Sequence, residues 1–160
     1  MAGRWHSSGV PFEFKMTRRV EFNETDLAGI VHFANFFRYM ESVEHAFLRS
    51  LGHSVVMPGL QPPIGFPRVH ASCDFRRPLR FEDVMELHLL VAEIRPRSLA
   101  YQIRIRRLEP GPSEEIGTGR LVVVCVSKNP DGRMEATAIP ESLSRQLEVA
   151  PAELLALPAR

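Results

Sequence analysis

The sequence predicts an α+β protein in which a curved antiparallel sheet wraps around one long central helix. One strand-like segment precedes a single long helical segment, and four strand-like segments follow it. Because short links join these four strands, antiparallel pairing is favoured. The long helix is the best apolar partner for a face of such a sheet.

The first predicted strand runs from Phe12 to Phe22. Its odd positions are mostly charged, whereas its even positions carry Phe12, Phe14, Met16, Arg18, Val20 and Phe22. This period of two is typical of a strand with one buried face. The loop that follows contains Asp26.

The central helix is predicted to begin between His32 and Asn35 and to end before Gly52, a favoured residue for a left-handed C-terminal cap. Apolar side chains recur at spacings of three and four residues: Phe36, Met40, Val43, Phe47 and Leu51. Phe33, Phe37 and Leu48 widen this face, so we expect the helix to be wrapped.

The rest of the chain completes a single domain over residues 1–160, in which residues 1–11 are expected to form a flexible N-terminal extension. Residues 53–67 are rich in proline and glycine and predict an irregular loop. Four strands are predicted at Val69–Phe75, Val84–Ile94, Ser98–Leu108 and Ile116–Ser127. The segment NPDGRM then predicts a turn, and IPESLSRQLEV predicts a short helix.

The composition argues against several classes of partner. A net charge of +1 gives no basic field for nucleic acid. No segment approaches the roughly 18 apolar residues of a membrane span, and the N-terminus lacks an export signal. Cys73 and Cys125 lie in apolar runs typical of buried thiols, which favours a cytoplasmic location. Open sheet edges favour a homodimer or homotetramer.

Asp26 lies in the loop that opens the helix, three residues before Gly29. The segment GIVHFA offers no Ser, Thr or Asp to cap the first helical N–H groups, and Asn35 is the nearest candidate. Free N–H groups there could stabilise negative charge on a carbonyl oxygen, while the carboxylate attacks the carbonyl or activates water. Alternatively, Asp26 only binds backbone N–H groups in its own turn.

The run VEFNETDLAGIVHFANFFRYMESVEHAFLRSLG resembles the signature of the 4-hydroxybenzoyl-CoA thioesterase-like family of hotdog-fold acyl-CoA thioesterases. The matching positions are Asp26, Gly29, Ile30 with Val31, His32 with Phe33, Asn35 and Gly52. Looser similarity extends over roughly residues 16–147. The order of elements in this family is the order predicted above.

The resemblance implies hydrolysis of an acyl-CoA thioester to free acid and CoA, with no metal or other cofactor. It implies that Asp26 is the nucleophile or general base and that the backbone N–H of Phe33 polarises the thioester carbonyl. Gly29 would let the backbone approach the substrate. Many members carry His or Tyr where this chain has Phe33, so the contribution here is expected from the backbone alone.

Further residues are candidates for substrate binding. His32 and Asn35 belong to the motif, and Glu41 stands where the family often has an acid, although a salt-bridged helix surface is the alternative. Arginines near strand ends could bind the phosphates of CoA or simply be solvated: Arg76, Arg77, Arg80, Arg95 and Arg97. Ser98 resembles a polar position near the pantetheine or phosphates in this family, and starting a strand is its alternative role. His53, His70 and His88 lack the spacing of a zinc site.

Two other functions fit the same fold. One is a binding or sensor module that holds acyl-CoA without turnover. The other is a hotdog hydratase or dehydratase, in which His32 or His45 would move protons with an acid. Neither histidine lies in a motif of that kind.

Overall fold

The computed structural model describes residues 5–6, 12–55, 57 and 59–157. Its strands are β1 (Trp5–His6), β2 (Glu13–Arg19), β3 (Ile64–Gly65), β4 (Arg68–Phe75), β5 (Val84–Arg95), β6 (Ser98–Glu109), β7 (Glu114–Val124), β8 (Val126–Lys128) and β9 (Met134–Ala136). Its helices are α1 (Phe33–Ser50), α2 (Glu141–Ser144) and α3 (Ala152–Leu155), and a 3₁₀ turn spans Phe22–Glu24.

The main sheet is antiparallel and has the strand order β1-β2-β5-β6-β7-β4. A second sheet has the order β3-β8-β9. Since α1 is the one long helix among the described residues, the predicted α+β class is confirmed. Of the predicted extension, Trp5–His6 pair with β2, and the remainder of residues 1–11 lies outside the described residues.

The core lies between α1 and the main sheet. Burial alternates along part of β6, at Tyr101, Ile103 and Ile105, whereas residues 87–91 of β5 are buried without interruption. The ring of Phe47 on α1 lies 6.3 Å from that of Phe14 on β2 and 6.2 Å from that of Tyr101 on β6. Of the predicted helical core residues, Phe36, Met40, Val43 and Phe47 are buried, whereas Leu51 is half-buried.

Two predicted strand boundaries were wrong. The strand predicted at Ile116–Ser127 is broken at Cys125, whose N–H donates to Arg97 O at 2.8 Å, so that β8 leaves the main sheet for the small one. The first strand ends at Arg19, because Val20 N–H donates to Asp83 O at 2.9 Å and the chain then turns. These breaks depend on contacts with distant residues, which the alternation of side chains does not reveal.

The remaining predictions need smaller corrections. Residues 53–67 contain the short strand β3, the C-terminal helix is confined to Glu141–Ser144, and α3 was not predicted. Cys73 and Cys125 are free thiols; Cys125 is buried and Cys73 is half-buried. Within the described residues, no helix is both long and apolar enough to span a membrane.

A close approach between α1 and β7 depends on Gly119. A Cβ atom at this position would lie 1.8 Å from the sulfur of Met40, which is fully buried. The absence of a side chain on β7 therefore makes the space in which the Met40 side chain packs.

We expect Gly119→Ala to lower the free energy of unfolding by about 1–3 kcal/mol, because the added methyl overpacks the core. Gly65→Ala is the matched control, since a Cβ there meets no atom within 4 Å. The double variant Met40→Ala/Gly119→Ala should lose less stability than the sum of the losses in the two single variants. Urea denaturation measures the free energy of unfolding of the three single variants, Gly119→Ala, Gly65→Ala and Met40→Ala, and of the double variant. Equal losses of stability in Gly119→Ala and Gly65→Ala would mean that the Met40 side chain moves aside without cost.

A buried ion pair connects α1 to β4. Glu44, whose side chain is 1% exposed, contacts the guanidinium of Arg68, whose side chain is 29% exposed. Burial raises the pKa of the Glu44 carboxyl above its ordinary value, and the positive charge of Arg68 opposes this shift only in part. The folded protein consequently keeps a proton on Glu44 at pH values where the unfolded chain has released it.

The free energy of unfolding should therefore fall as pH rises from about 4.5 through the folded-state pKa of Glu44, where the folded state binds more protons than the unfolded state. Glu44→Gln should remove this contribution from urea denaturation measured against pH. Glu148→Gln is the control, since Glu148 is an exposed carboxylate outside this ion pair. An unchanged pH slope in Glu44→Gln would contradict the assignment.

Candidate active site

Asp26 lies half-buried in a tight turn. Its Oδ1 accepts a hydrogen bond from Ala28 N–H at 2.8 Å, and its backbone O accepts from Gly29 N–H at 2.9 Å. Gly29 has φ +71°, a conformation that favours glycine. The turn contact foreseen as the alternative role of Asp26 is thus present. Its other carboxylate oxygen accepts no hydrogen bond from the described residues.

Backbone contacts hold this turn next to the helix start. Thr25 and Val31 form an antiparallel bridge, and His32 N–H donates to Glu24 O at 2.9 Å. Val31 N–H donates to Leu79 O at 2.8 Å, which also ties the loop to the segment after β4. The Asp26 turn and the first residue of α1 are therefore joined through one short ladder.

The helix start is partly capped, contrary to the prediction. His32 is the N-cap residue, and its Nδ1 accepts from Ala34 N–H at 3.3 Å, while its backbone O accepts from Asn35 N–H at 2.9 Å. A histidine ring thus replaces the Ser, Thr or Asp whose absence suggested free N–H groups. The N–H of Phe33 has no acceptor among the described residues. One donor is left at the helix N-terminus.

Asn35 is used within the protein. Its side-chain Nδ2 donates to Glu24 O at 2.7 Å, so it anchors the loop to the first turn of α1. The His32 ring lies against that of Phe33, with the centroids 4.6 Å apart. Substrate contacts by His32 and Asn35 stay predictions.

Exposed apolar side chains surround the Asp26 loop. Leu27 is completely exposed, Phe33 is 61% exposed, and Phe22 packs edge-on against the exposed ring of Phe81 at 5.6 Å. The sequence pattern placed Phe22 and Phe33 on buried faces. Their exposure beside a carboxylate provides an apolar surface for an acyl group or for another protein chain.

Arg76 and Arg77 lie at the same end of the sheet as the helix start. They directly follow Phe75, whose ring lies 5.0 Å from that of Phe36 in the first turns of α1. A cleft of about 720 Å³ lies here, and Arg77 Nε lies 3.3 Å from the carboxylate of Glu114 within it. The cleft is lined by Asp74, Phe75, Arg76, Arg77, Glu114, Glu115, Thr118 and Leu157.

Arg97 and Ser98 lie at the opposite end of the sheet. Ser98, the first residue of β6, pairs with Val124 of β7, whereas Phe75 pairs with Gly117. Seven residues of strand separate these two positions, a distance of about 23 Å. Within one chain, the structure therefore does not bring Arg97 and Ser98 together with Arg76 and Arg77.

Glu41 lies two turns into α1 and is 49% exposed, 3.3 Å from Arg68. This is the salt-bridged helix surface predicted as the alternative to substrate binding, and its partner is Arg68 of β4. Arg95 is likewise paired, 2.8 Å from Glu93. Within the described residues, no group of three His, Cys, Asp or Glu side chains could hold a metal ion.

The sequence reasoning missed a polar cluster below the Asp26 loop. Arg18 of β2 forms an ion pair with Glu24, and its guanidinium lies 4.5 Å from the ring centroid of Tyr39 on α1. One signal was available: Arg18 interrupts the otherwise apolar side of the first strand, and a charge on a buried face requires a partner.

Comparison with known proteins identifies the family. The model of the thioesterase superfamily matches residues 28–113. A 1,4-dihydroxy-2-naphthoyl-CoA hydrolase of Synechococcus sp. (strain WH7803) is 30% identical over 141 residues, covering 84% of this chain and 88% of that protein. A protein of Aquifex aeolicus (strain VF5) named "Putative esterase" is 41% identical over 88 residues, 53% of this chain and 64% of that protein.

The fold is shared with solved structures. The 4-hydroxybenzoyl-CoA thioesterase of Pseudomonas sp. strain CBS-3 superposes with a TM-score of 0.72 at 20% identity, covering 84% of this chain and 99% of that one. The predicted hotdog fold is confirmed. With its Asp26 loop opening a wrapped central helix, this chain belongs to the thioesterase superfamily, whose enzymes hydrolyse thioesters.

Proposed function

We propose that this protein hydrolyses an acyl- or aryl-CoA thioester, with Asp26 as the reacting carboxylate and the N–H of Phe33 as the donor to the thioester carbonyl. One observation carries this proposal. A half-buried carboxylate with one oxygen held by its own turn is joined, through the Thr25–Val31 bridge, to a helix start whose first N–H has no acceptor in the described part of the chain. Thioester hydrolysis requires these two groups.

The turn orients the carboxylate. Because Ala28 N–H holds Oδ1 of Asp26, the second oxygen is the one available for reaction. It can attack the carbonyl carbon, releasing CoA thiolate and leaving a mixed anhydride that water then hydrolyses. It can also remove a proton from water, which then attacks the same carbon. In both routes the Phe33 N–H stabilises the negative oxygen of the tetrahedral intermediate.

Apolar acyl groups, including aromatic ones, are the proposed substrate class. The exposed side chains of Leu27 and Phe33 offer them an apolar surface beside Asp26. The naphthoyl-CoA hydrolase named above supports an aryl group. A carboxylate, a backbone donor and water suffice for this chemistry, so we propose no metal and no cofactor apart from the CoA of the substrate.

The proposed active form is a homodimer or homotetramer in the cytoplasm. Strand β4 forms an edge of the main sheet, and its residues are exposed apart from the half-buried Cys73. Such an edge can pair with a second copy. Arg97 and Ser98 would then meet CoA only in the site of another copy. Two free thiols support a reducing compartment.

We expect Asp26→Asn to lower kcat by about 100- to 10,000-fold, because the amide can neither attack nor accept a proton. Thiol release from a panel of acetyl-, palmitoyl-, benzoyl- and 1,4-dihydroxy-2-naphthoyl-CoA measures this loss. Asp131→Asn, in the exposed turn between β8 and β9, is the matched control. Full activity of Asp26→Asn would remove the mechanism, and binding without turnover by the wild type would indicate a sensor.

We expect Arg76→Gln with Arg77→Gln to raise KM for acyl-CoA by about 3- to 10-fold, because charge-assisted contacts to phosphate are lost. The corresponding N-acetylcysteamine thioester lacks phosphates, so its KM should not change. Arg133→Gln, in the exposed turn between β8 and β9, is the control. An equal rise in KM for both thioesters would contradict a role in phosphate binding.

A further inference from the structure

Glu24 contacts three different elements around the Asp26 loop. Its carboxylate forms an ion pair with Arg18 on β2 and accepts from its own turn, at Glu21 N–H, with a distance of 2.8 Å. Its backbone O accepts from His32 N–H at 2.9 Å and from Asn35 Nδ2 at 2.7 Å. One residue thereby links the first strand, the loop and the start of α1.

The ion pair is sheltered. The side chains of Arg18 and Glu24 are 26% and 15% exposed, and the Arg18 guanidinium covers the ring of Tyr39. The Tyr39 hydroxyl is buried without a hydrogen bond among the described residues. Burial raises the pKa of Tyr39, and the nearby Glu24 carboxylate adds to this rise. The guanidinium is therefore held between an aromatic face and a carboxylate, a geometry favourable to arginine.

The position of Glu24 relates it to both proposed reacting groups. Asp26 lies two residues after Glu24. Phe33 directly follows His32, whose N–H donates to the backbone O of Glu24. A movement of the loop against α1 would change the distance between the Asp26 carboxylate and the Phe33 N–H. Misplacement by about 1 Å can cost about 100-fold in rate.

We propose that Glu24, fixed by Arg18, is a positioning residue that sets the Asp26 carboxylate against the N–H of Phe33. The expected effect of Glu24 on the reaction rests on the proposed function. The structural part of the inference, the anchoring of residues 22–35, stands independently. Because Glu24 contacts the substrate in neither route above, its removal should reduce kcat and leave substrate affinity nearly unchanged.

The first test compares Glu24→Gln with wild type. Glutamine keeps the backbone carbonyl and the size of the side chain but loses the charge that holds Arg18. We expect kcat for the best substrate of the panel to fall about 10- to 100-fold while KM changes less than about 3-fold. The matched control is Glu13→Gln, a carboxylate on β2, the strand that carries Arg18; it is 19% exposed and lies 2.7 Å from His88 Nε2. Its kcat should equal that of wild type.

The second test measures amide hydrogen exchange of residues 22–35 by mass spectrometry, which requires no activity. We expect exchange in this segment to become at least about 10-fold faster in Glu24→Gln and to stay unchanged in Glu13→Gln, with equal melting temperatures. If the wild type releases no thiol, the proposed function is wrong, but hydrogen exchange still tests whether Glu24 anchors residues 22–35. Unchanged exchange overturns the inference even when the wild type is active.

A cycle with Arg18 separates positioning from general destabilisation. Arg18→Gln leaves the Glu24 carboxylate sheltered and unpaired, whereas Arg18→Gln/Glu24→Gln removes both charges. The double variant should therefore lose less kcat than the product of the two single losses. If Glu24→Gln does not fold, Arg18→Lys replaces it in the test. We then expect Arg18→Lys to lower kcat and to leave KM unchanged. A kcat within about 3-fold of wild type, or strictly multiplicative losses in the cycle, overturns the proposal.

Discussion

The burial of the apolar face of α1 against the main sheet is the constraint on which the rest of this structure depends. Phe36, Met40, Val43 and Phe47 fill this interface, and the bare backbone of Gly119 admits the Met40 side chain. A helix held along one face cannot shift along its axis without breaking these contacts. Its N-terminus is consequently placed beside the loop of Asp26, and the site follows from the packing.

The site itself is made by backbone contacts more than by side-chain identity. The Thr25–Val31 bridge, the His32 cap and the Glu24 carbonyl each satisfy polar groups near the helix start. Among the residues that the structure describes, the N–H of Phe33 is left without an acceptor. The first N–H groups of a helix have no intrahelical acceptor, so this donor is free to bind water or a ligand. It is what an acyl-transfer site requires, because a substrate oxygen can complete the pairing.

Electrostatic contacts hold the helix to the sheet at two positions and in two different ways. Near its start, Arg18 and Glu24 lie between β2 and the first turns of α1. About 8 Å beyond Tyr39 along the helix axis, Glu44 meets Arg68 of the edge strand. Both pairs are sheltered, so each specifies a position more than it adds net stability. The Arg18–Glu24 pair lies next to the candidate site. The Glu44–Arg68 pair holds the edge strand at which another copy could pair.

The sequence by itself determined the α+β class, the central helix with its buried face, most strands, and Asp26 as the candidate acid, because alternation, helical spacing and a local motif are properties of neighbouring residues. Only the tertiary structure decided that Val20 and Cys125 end their strands, that His32 caps the helix, and that Asn35 binds Glu24. It also separated Arg97 from Arg76. Each of these features depends on a partner distant in the chain or on the direction of one side chain. The spacing of residue types along the sequence contains neither kind of information.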